Sequence, residues 1–143
     1  MEPRISIITL GVDNLDRSLA FYRDGLGFVT SAEAGADIVF FRTGGTCLAL
    51  YPREKLAEDV APGHPSERGA FPGITLAHNT RHKEEVDTVL NQAVQAGGTL
   101  LKPAADVFWG GYSGYFADPD GYLWEVAWSD GWQFNPDGSL VIE

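Results

Sequence analysis

Short apolar runs separated by glycine-rich turns, with one amphipathic stretch among them, organise the first half of the chain. Residues 4–12 are rich in β-branched side chains and predict a strand. In the next segment Leu15, Leu19 and Tyr22 recur at the spacing of a helix with one buried stripe. Asp13 or Asn14 can cap this helix, and glycines end it. Three strands are predicted to follow, at residues 28–34, 37–42 and 46–51.

The second half repeats this order of elements. A strand at residues 74–79 precedes a helix at residues 83–96, whose apolar residues fall on one face. Asp118-Pro119-Asp120-Gly121 is a strong turn signal. Three further strands are predicted at residues 99–108, 111–117 and 122–128, and a short edge strand at residues 139–142.

The stretch between the halves, residues 52–72, breaks the pattern. Its first residues, 52–57, predict one or two helical turns with proline at the start, and the remainder is a loop rich in proline and glycine. A connection is the simple interpretation of such a loop. Long irregular loops are also often functional, and as a lid this one would bring Arg53, His64 and Arg68 near a ligand.

The recurrence predicts a duplicated architecture. The helix of the first half corresponds to that of the second, and Phe41 before its glycine-rich turn corresponds to Phe116. We therefore predict an α+β fold of two βαβββ modules within a single domain spanning residues 1–143. Its parts are module one (about 4–51), the connecting loop (52–72), module two (about 73–128) and a C-terminal tail (129–143).

Composition and charge limit the classes of partner that are expected for this chain. The content of 44% hydrophobic and 12% aromatic residues is typical of a globular protein. Ten basic against twenty acidic residues give a formal charge of −10, which repels phosphate backbones, so nucleic acid is not an expected partner. No signal-peptide core or membrane-length apolar run is present, and a cytoplasmic location without membrane association is expected. The single cysteine, Cys47, lies in an apolar run and is interpreted as a buried hydrophobic residue.

Two motifs carry a family resemblance. The segment Val12-Asp13-Asn14-Leu15-Asp16-Arg17-Ser18-Leu19-Ala20-Phe21-Tyr22, followed by Gly25-Leu26-Gly27-Phe28, resembles the opening signature of glyoxalase/bleomycin resistance/extradiol dioxygenase proteins, the vicinal oxygen chelate superfamily. Phe116-Ala117-Asp118-Pro119-Asp120-Gly121, followed by Leu123-Trp124-Glu125-Val126, resembles their closing signature. The resemblance implies paired βαβββ modules that form an open, cup-shaped barrel. It implies no single activity, because the superfamily hosts lyases, dioxygenases, epimerases and binding proteins.

In metal-dependent members, the resemblance implies a divalent cation held in the cup by His or Glu ligands from the first and last strands of each module. The closing motif places Glu125 at one ligand position, and the other three positions fall at Ile7, about Leu50 and about Thr75. Isoleucine and leucine carry no donor atom, and a threonine hydroxyl is a poor transition-metal ligand. We therefore expect neither the usual metal site nor another cofactor.

Glu125 is the candidate catalytic residue. On a strand it points away from Trp124 and Val126, and so towards the cup if those two pack under a helix. It is either a solvated remnant of an ancestral site or a carboxylate that binds a ligand or acts as a general base.

The segment Phe108 to Tyr115 interleaves aromatic residues with glycines. Phe108, Trp109, Tyr112 and Tyr115 could form a wall for a planar ligand, to which Glu125 and Thr75 would add polar contacts; alternatively the aromatics fill the core or a dimer seam. On the first interpretation, Trp109→Ala or Tyr112→Ala weakens binding and leaves the fold nearly intact. His64 and His82 are expected at the surface, and His78 is expected to be a hydrogen-bonded structural residue facing the helix.

These observations leave several functions open. The leading expectation is metal-independent binding of a small, partly aromatic or hydrophobic molecule in the cup of a homodimer. The alternative is a lyase, isomerase or dioxygenase of the same superfamily that uses Glu125 as a base or as an atypical metal anchor. A third possibility is an interaction protein whose own side chains fill the cup.

Overall fold

The computed structural model describes residues 1–67, 69 and 71–141. The chain divides into two compact units, Met1–Pro72 and Gly73–Glu143, each treated by itself below. Arg68, assigned above to a possible lid, and Ile142, at the end of the predicted edge strand, lie outside the described residues. In the part of the chain that is described, no helix is both long and apolar enough to cross a bilayer.

The first unit is a small sheet covered on one face by a helix. Its elements are β1 (Ile7–Val12), α1 (Leu15–Leu19) continuing as a π-helical segment (Ala20–Gly25), β2 (Val39–Arg42), β3 (Cys47–Pro52) and α2 (Arg53–Val60). The sheet order is β1-β3-β2, with β3 parallel to β1 and antiparallel to β2. Asn14 is the residue that caps α1, because its Oδ1 accepts a hydrogen bond of 2.9 Å from the backbone N of Arg17.

An aromatic cluster joins the helix of the first unit to its sheet. Tyr22 is fully buried, and its ring centroid lies 5.7 Å from that of Phe41 on β2 and 5.5 Å from that of Phe28. Leu48 and Leu50 are buried on the same face of the sheet. The helix stripe predicted from the sequence therefore forms the core of this unit.

The prediction of a strand at residues 28–34 is wrong. The segment contributes one isolated bridge, between Val29 and Arg42, and then leaves the sheet. Side-chain hydrogen bonds compete with strand pairing there: the Arg23 guanidinium donates to the carbonyl of Ala32, and the Asp16 carboxylate accepts from the N of Gly35. The helical turns predicted at the start of the connecting loop are confirmed by α2.

The second unit contains the complete βαβββ order. Its elements are β4 (Leu76–Asn79), α3 (Glu84–Gln95), β5 (Thr99–Asp106), β6 (Tyr112–Ala117) and β7 (Leu123–Trp128). The sheet order is β4-β7-β6-β5, with β4 parallel to β7 and the other pairs antiparallel. In both units the first strand is parallel to the last, which confirms the α+β class and the duplication.

α3 packs on the sheet of the second unit through a continuous apolar stripe. Val86, Leu90 and Ala93 are buried, and they meet the face that carries the stacked rings of Phe116 and Trp124, whose centroids are 6.1 Å apart. The turn after β6 is built by the buried carboxylate of Asp118, whose Oδ1 accepts from the backbone N of Asp120 and of Tyr122. The Asp-Pro-Asp-Gly turn predicted from the sequence is therefore held by its first residue.

The C-terminal tail forms a tight turn rather than the predicted edge strand. Phe134 and Leu140 make a single bridge, and hydrogen bonds between Asn135 and Ser139 close the turn. Ladder pairing beyond this bridge is not seen among the described residues. The aspartate of the Asn-Pro-Asp-Gly sequence accepts from the N of Ser139, which favours a turn over extension.

Candidate ligand-binding site on the second sheet

Glu125 and Tyr115 meet on the face of the second sheet opposite α3. Trp124 and Val126 are buried under the helix, and Glu125 between them is half-buried on the other face. The antiparallel register places Tyr115 directly opposite Glu125. This face therefore places a carboxyl group and a phenol side by side.

Tyr115 carries a protonated phenol at neutral pH. Its ordinary pKa of 10.0 is already well above 7, and desolvation of the phenol, followed by the negative charge of Glu125, raises the pKa of Tyr115 further. The phenol therefore offers a hydrogen-bond donor to a ligand, and the Glu125 carboxyl group beside it offers an acceptor.

A polar row runs across this face at one level of the sheet. Ala77 on β4 is the lateral neighbour of Glu125, Tyr115 follows on β6, and Lys102 pairs with Tyr115 from β5. Neighbouring strands lie about 4.8 Å apart, so the backbone positions that carry the methyl, carboxyl, phenol and ammonium groups succeed one another at that spacing. We call these four residues the open-face row. Thr75, expected to add a polar contact, is exposed and lies immediately before β4.

Sequence reasoning missed Lys102. Its segment, Leu100-Leu101-Lys102-Pro103, carries no motif, and β5 has register shifts on both sides of Lys102. A shift of one residue moves a side chain to the other face of a sheet, so alternation along the sequence could not assign Lys102 to the row.

The structure separates the aromatic residues from Phe108 to Tyr115. Phe108 is fully exposed in the turn before β6, and Tyr115 lies in the open-face row. Tyr112 lies on the opposite face, where its hydroxyl donates to Asp87 of α3 at 3.0 Å and the Lys83 ammonium lies 4.7 Å from its ring centroid. These residues therefore do not form one continuous wall.

Trp109 is held by two contacts of its own. Its ring stacks on Trp132 of the tail with a centroid distance of 5.8 Å, and 43% of the residue remains exposed. The ring also covers Gly111, where a Cβ would lie 1.7 Å from Trp109 Cζ3. Glycine at position 111 thus makes room for the indole.

The remaining candidates come from both units: His64, Cys47 and Arg53 from the first, and His82 from the second. His64 and His82 are exposed, as predicted. Cys47 is half-buried and its thiol donates to its neighbour's carbonyl. Arg53 is engaged with Asp13 through a hydrogen bond of 2.9 Å between Nε and Oδ1.

The donor set does not fit a metal ion. By strand register Phe116 pairs with Trp124 and Phe41 with Leu48, so the counterpart of Glu125 in the first unit is Ala49. The approximate prediction, about Leu50, differs from this position by one residue, because Leu50 is buried on the helix face. Like leucine, alanine has no side-chain atom that can coordinate a metal ion. Among the described residues, no group of three or more His, Cys, Asp or Glu side chains could hold a metal.

Comparison with known proteins places these features in context. A sequence profile of the Glyoxalase/Bleomycin resistance protein/Dioxygenase superfamily matches residues 4–126. No protein with a curated description matches the chain.

Solved structures do match it. A glyoxalase-related enzyme from Fulvimarina pelagi is 37% identical, with a TM-score of 0.87 and 98% of each chain covered. A glyoxalase/bleomycin resistance protein/dioxygenase from Nocardioides is 26% identical, with a TM-score of 0.73, 92% of this chain and 87% of that chain covered. Lactoylglutathione lyase from Agrobacterium tumefaciens is 26% identical, with a TM-score of 0.67, 94% of this chain and 100% of that chain covered.

Proposed function

Because the chain belongs to the glyoxalase/bleomycin resistance protein/dioxygenase superfamily, we propose that it binds a small, partly aromatic or hydrophobic molecule on the open-face row without a metal ion. The observation that carries the proposal is the half-buried carboxyl group of Glu125, which lies directly opposite the Tyr115 phenol on an otherwise apolar strand. A carboxyl group held partly out of water needs hydrogen-bond partners, and a bound ligand would supply one.

The chemistry of the row indicates the ligand. Glu125 accepts hydrogen bonds from a hydroxyl or an amine, and Ala77 beside it provides an apolar surface. Leu123, two residues along the same strand, extends that surface. An apolar body with one donor group near its end matches this arrangement, since a few placed polar groups orient a ligand and apolar area supplies affinity.

The binding experiment uses benzylamine and benzyl alcohol as probes, with toluene as the control that lacks a donor. We expect a rise in melting temperature with the first two probes and none with toluene. Glu125→Gln should abolish the rise with benzylamine, and Glu84→Gln, an exposed acid on α3, should retain it. Equal responses of the two variants would contradict the proposal.

The absence of a metal is tested separately. Elemental analysis of protein purified without chelator should find no stoichiometric transition metal, and added Zn²⁺ or Mn²⁺ should leave the melting temperature unchanged. A stoichiometric metal, or stabilisation that Glu125→Gln removes, would overturn the metal-free part of the proposal.

The second candidate function is catalysis with Glu125 as a general base. It is favoured by the position of the Glu125 carboxyl group opposite the Tyr115 phenol, and by the 37% identical relative, a glyoxalase-related enzyme. Proton abstraction next to a carbonyl can be tested by following the deuterium exchange of hydroxyacetone protons by NMR. Exchange above background that is lost in Glu125→Gln and retained in Glu84→Gln would support an enzyme, and background exchange would support a binding protein.

A further inference from the structure

A pocket lies on the other side of the sheet from the open-face row. It has a volume of about 470 Å³ and lies within the second unit, between the end of β4, the first turns of α3 and the C-terminal tail. His78 marks its side of the sheet, because His78 pairs with Val126, which is buried under α3. Its size falls in the range of small-molecule pockets, about 300–1,000 Å³.

Arg81 supplies a cation to this pocket. Its guanidinium lies 4.8 Å from the ring centroid of Phe134, which also lines the pocket. Within the described part of the chain, no carboxylate pairs with this guanidinium. A guanidinium fixed by stacking keeps its forked donors for a carboxylate.

Glu85 supplies an anion to the same pocket. Its Oε2 accepts hydrogen bonds from the backbone N of Arg81 at 2.9 Å and of His82 at 3.0 Å. The hydrogen bond from the backbone N of His82 is the largest effect and lowers the pKa of Glu85. Desolvation opposes it, and the hydrogen bond from Arg81 lowers the pKa further, so the carboxylate is ionised at neutral pH. Glu85 already accepts hydrogen bonds from these two backbone donors at the start of α3. The proposed site is therefore formed by side chains and not by backbone N–H groups of the helix.

The other walls carry little charge. Val89 is half-buried and contributes an apolar surface beside the ring of Phe134. Burial of the His78 ring lowers its pKa, which favours the neutral form at pH 7. The pocket therefore presents one cation, one anion and an apolar wall.

We propose that this pocket binds a free α-amino acid with an apolar side chain, its carboxylate on Arg81, its ammonium on Glu85 and its side chain against Val89 and Phe134. A zwitterion fits the two opposite charges. It also avoids the repulsion that a net anion would meet from a protein with a formal charge of −10. The proposal is independent of the function proposed for Glu125, which lies on the opposite face of the sheet.

Calorimetric titration with L-leucine, L-valine and L-phenylalanine tests the proposal on the unmodified protein. At least one of them should bind. Leucinamide, which lacks the carboxylate, and N-acetyl-L-leucine, which lacks the ammonium, should bind at least about tenfold more weakly than L-leucine if leucine is the binder. No binding of any of the three amino acids up to about 10 mM, a concentration well above the Kd of a specific small-molecule site, would overturn the proposal.

Variants locate the site. Glu85→Gln keeps a side-chain oxygen for the two backbone donors, so the fold should hold while amino-acid binding weakens about tenfold. That variant should not weaken N-acetyl-L-leucine further, because this ligand has no ammonium to lose. Glu84→Gln, one residue away and exposed, is the matched control and should bind as the wild type does.

Two further variants separate this site from the open-face row. Arg81→Lys retains the charge without the fork and should also weaken binding. Glu125→Gln should leave amino-acid binding unchanged. Binding lost in Glu125→Gln but retained in Glu85→Gln would refute this pocket while supporting a ligand on the other face.

Discussion

Gly114→Ala is the substitution whose effect the structure defines most closely. Gly114 is buried in β6 on the face that meets α3. A Cβ at this position would lie 2.6 Å from Leu90 Cδ1, 2.7 Å from the carbonyl oxygen of Lys102 and 2.9 Å from the backbone N of Ala104. Side chains almost never approach so closely, and two of these three atoms belong to the backbone of β5. The leucine can rotate, but the backbone atoms move only if β5 shifts.

The expected loss combines two opposing effects. Adding a methyl group to a packed core lowers the free energy of unfolding by about 1–3 kcal/mol. Replacing glycine by alanine raises it by about 0.4–1 kcal/mol, because alanine reduces the conformational entropy of the unfolded chain. The free energy of unfolding should therefore fall by about 1–2 kcal/mol. At about 2–4 °C per kcal/mol for a chain of this size, the melting temperature should fall by roughly 2–8 °C.

Urea unfolding followed by tryptophan fluorescence measures this change, with an unchanged m-value as evidence that unfolding exposes the same surface. Gly131→Ala is the matched control. Its Cβ would meet only Ser129 Oγ, at 4.0 Å, and its backbone is outside the left-handed region. We expect this control to remain within about 0.5 kcal/mol of the wild type or to be slightly more stable. A Gly114→Ala variant as stable as the control would refute the close approach of β5, β6 and α3.

Three other changes test separate features of the second unit. Asp118→Ala should lower the free energy of unfolding by about 1–3 kcal/mol by leaving buried backbone donors unpaired, and Asp118→Asn, which keeps one oxygen, should lose less; equal stability of both would contradict the turn. A double-mutant cycle of Trp109→Ala and Trp132→Ala should give a coupling of about 0.5–1.5 kcal/mol, and additive losses would show that the rings do not stack in solution. Because desolvation of His78 outweighs the opposing effect of Glu85 and lowers the pKa of His78 below 6.5, the folded chain binds this proton later than the unfolded chain as pH falls. Stability should therefore decrease below about pH 6.5 in the wild type and decrease less in His78→Gln, as urea unfolding at about pH 7 and pH 5 would show.

The sequence alone was sufficient to predict the order of most helices and strands, and to predict which face of each long element is buried. Apolar periodicity predicted the buried stripe of α3, except for the exposed Val94 at its end. Phe41 and Phe116, predicted as counterparts, are each the last residue but one of their strand. Alternation also placed Glu125 opposite Trp124. These features depend on side-chain spacing along one element, which the chain carries locally.

Only the tertiary structure decided the features that depend on register between elements. The shifts in β5 bring Lys102 beside Tyr115, and the ladder in the first unit makes Ala49 rather than Leu50 the counterpart of Glu125. Likewise, the pocket brings Phe134 of the tail next to Arg81 and Glu85, which lie four residues apart at the start of α3, and no spacing in the sequence relates the tail to that helix. The physical reason is that a one-residue shift in pairing reverses the face of a side chain while leaving the sequence pattern of each strand unchanged.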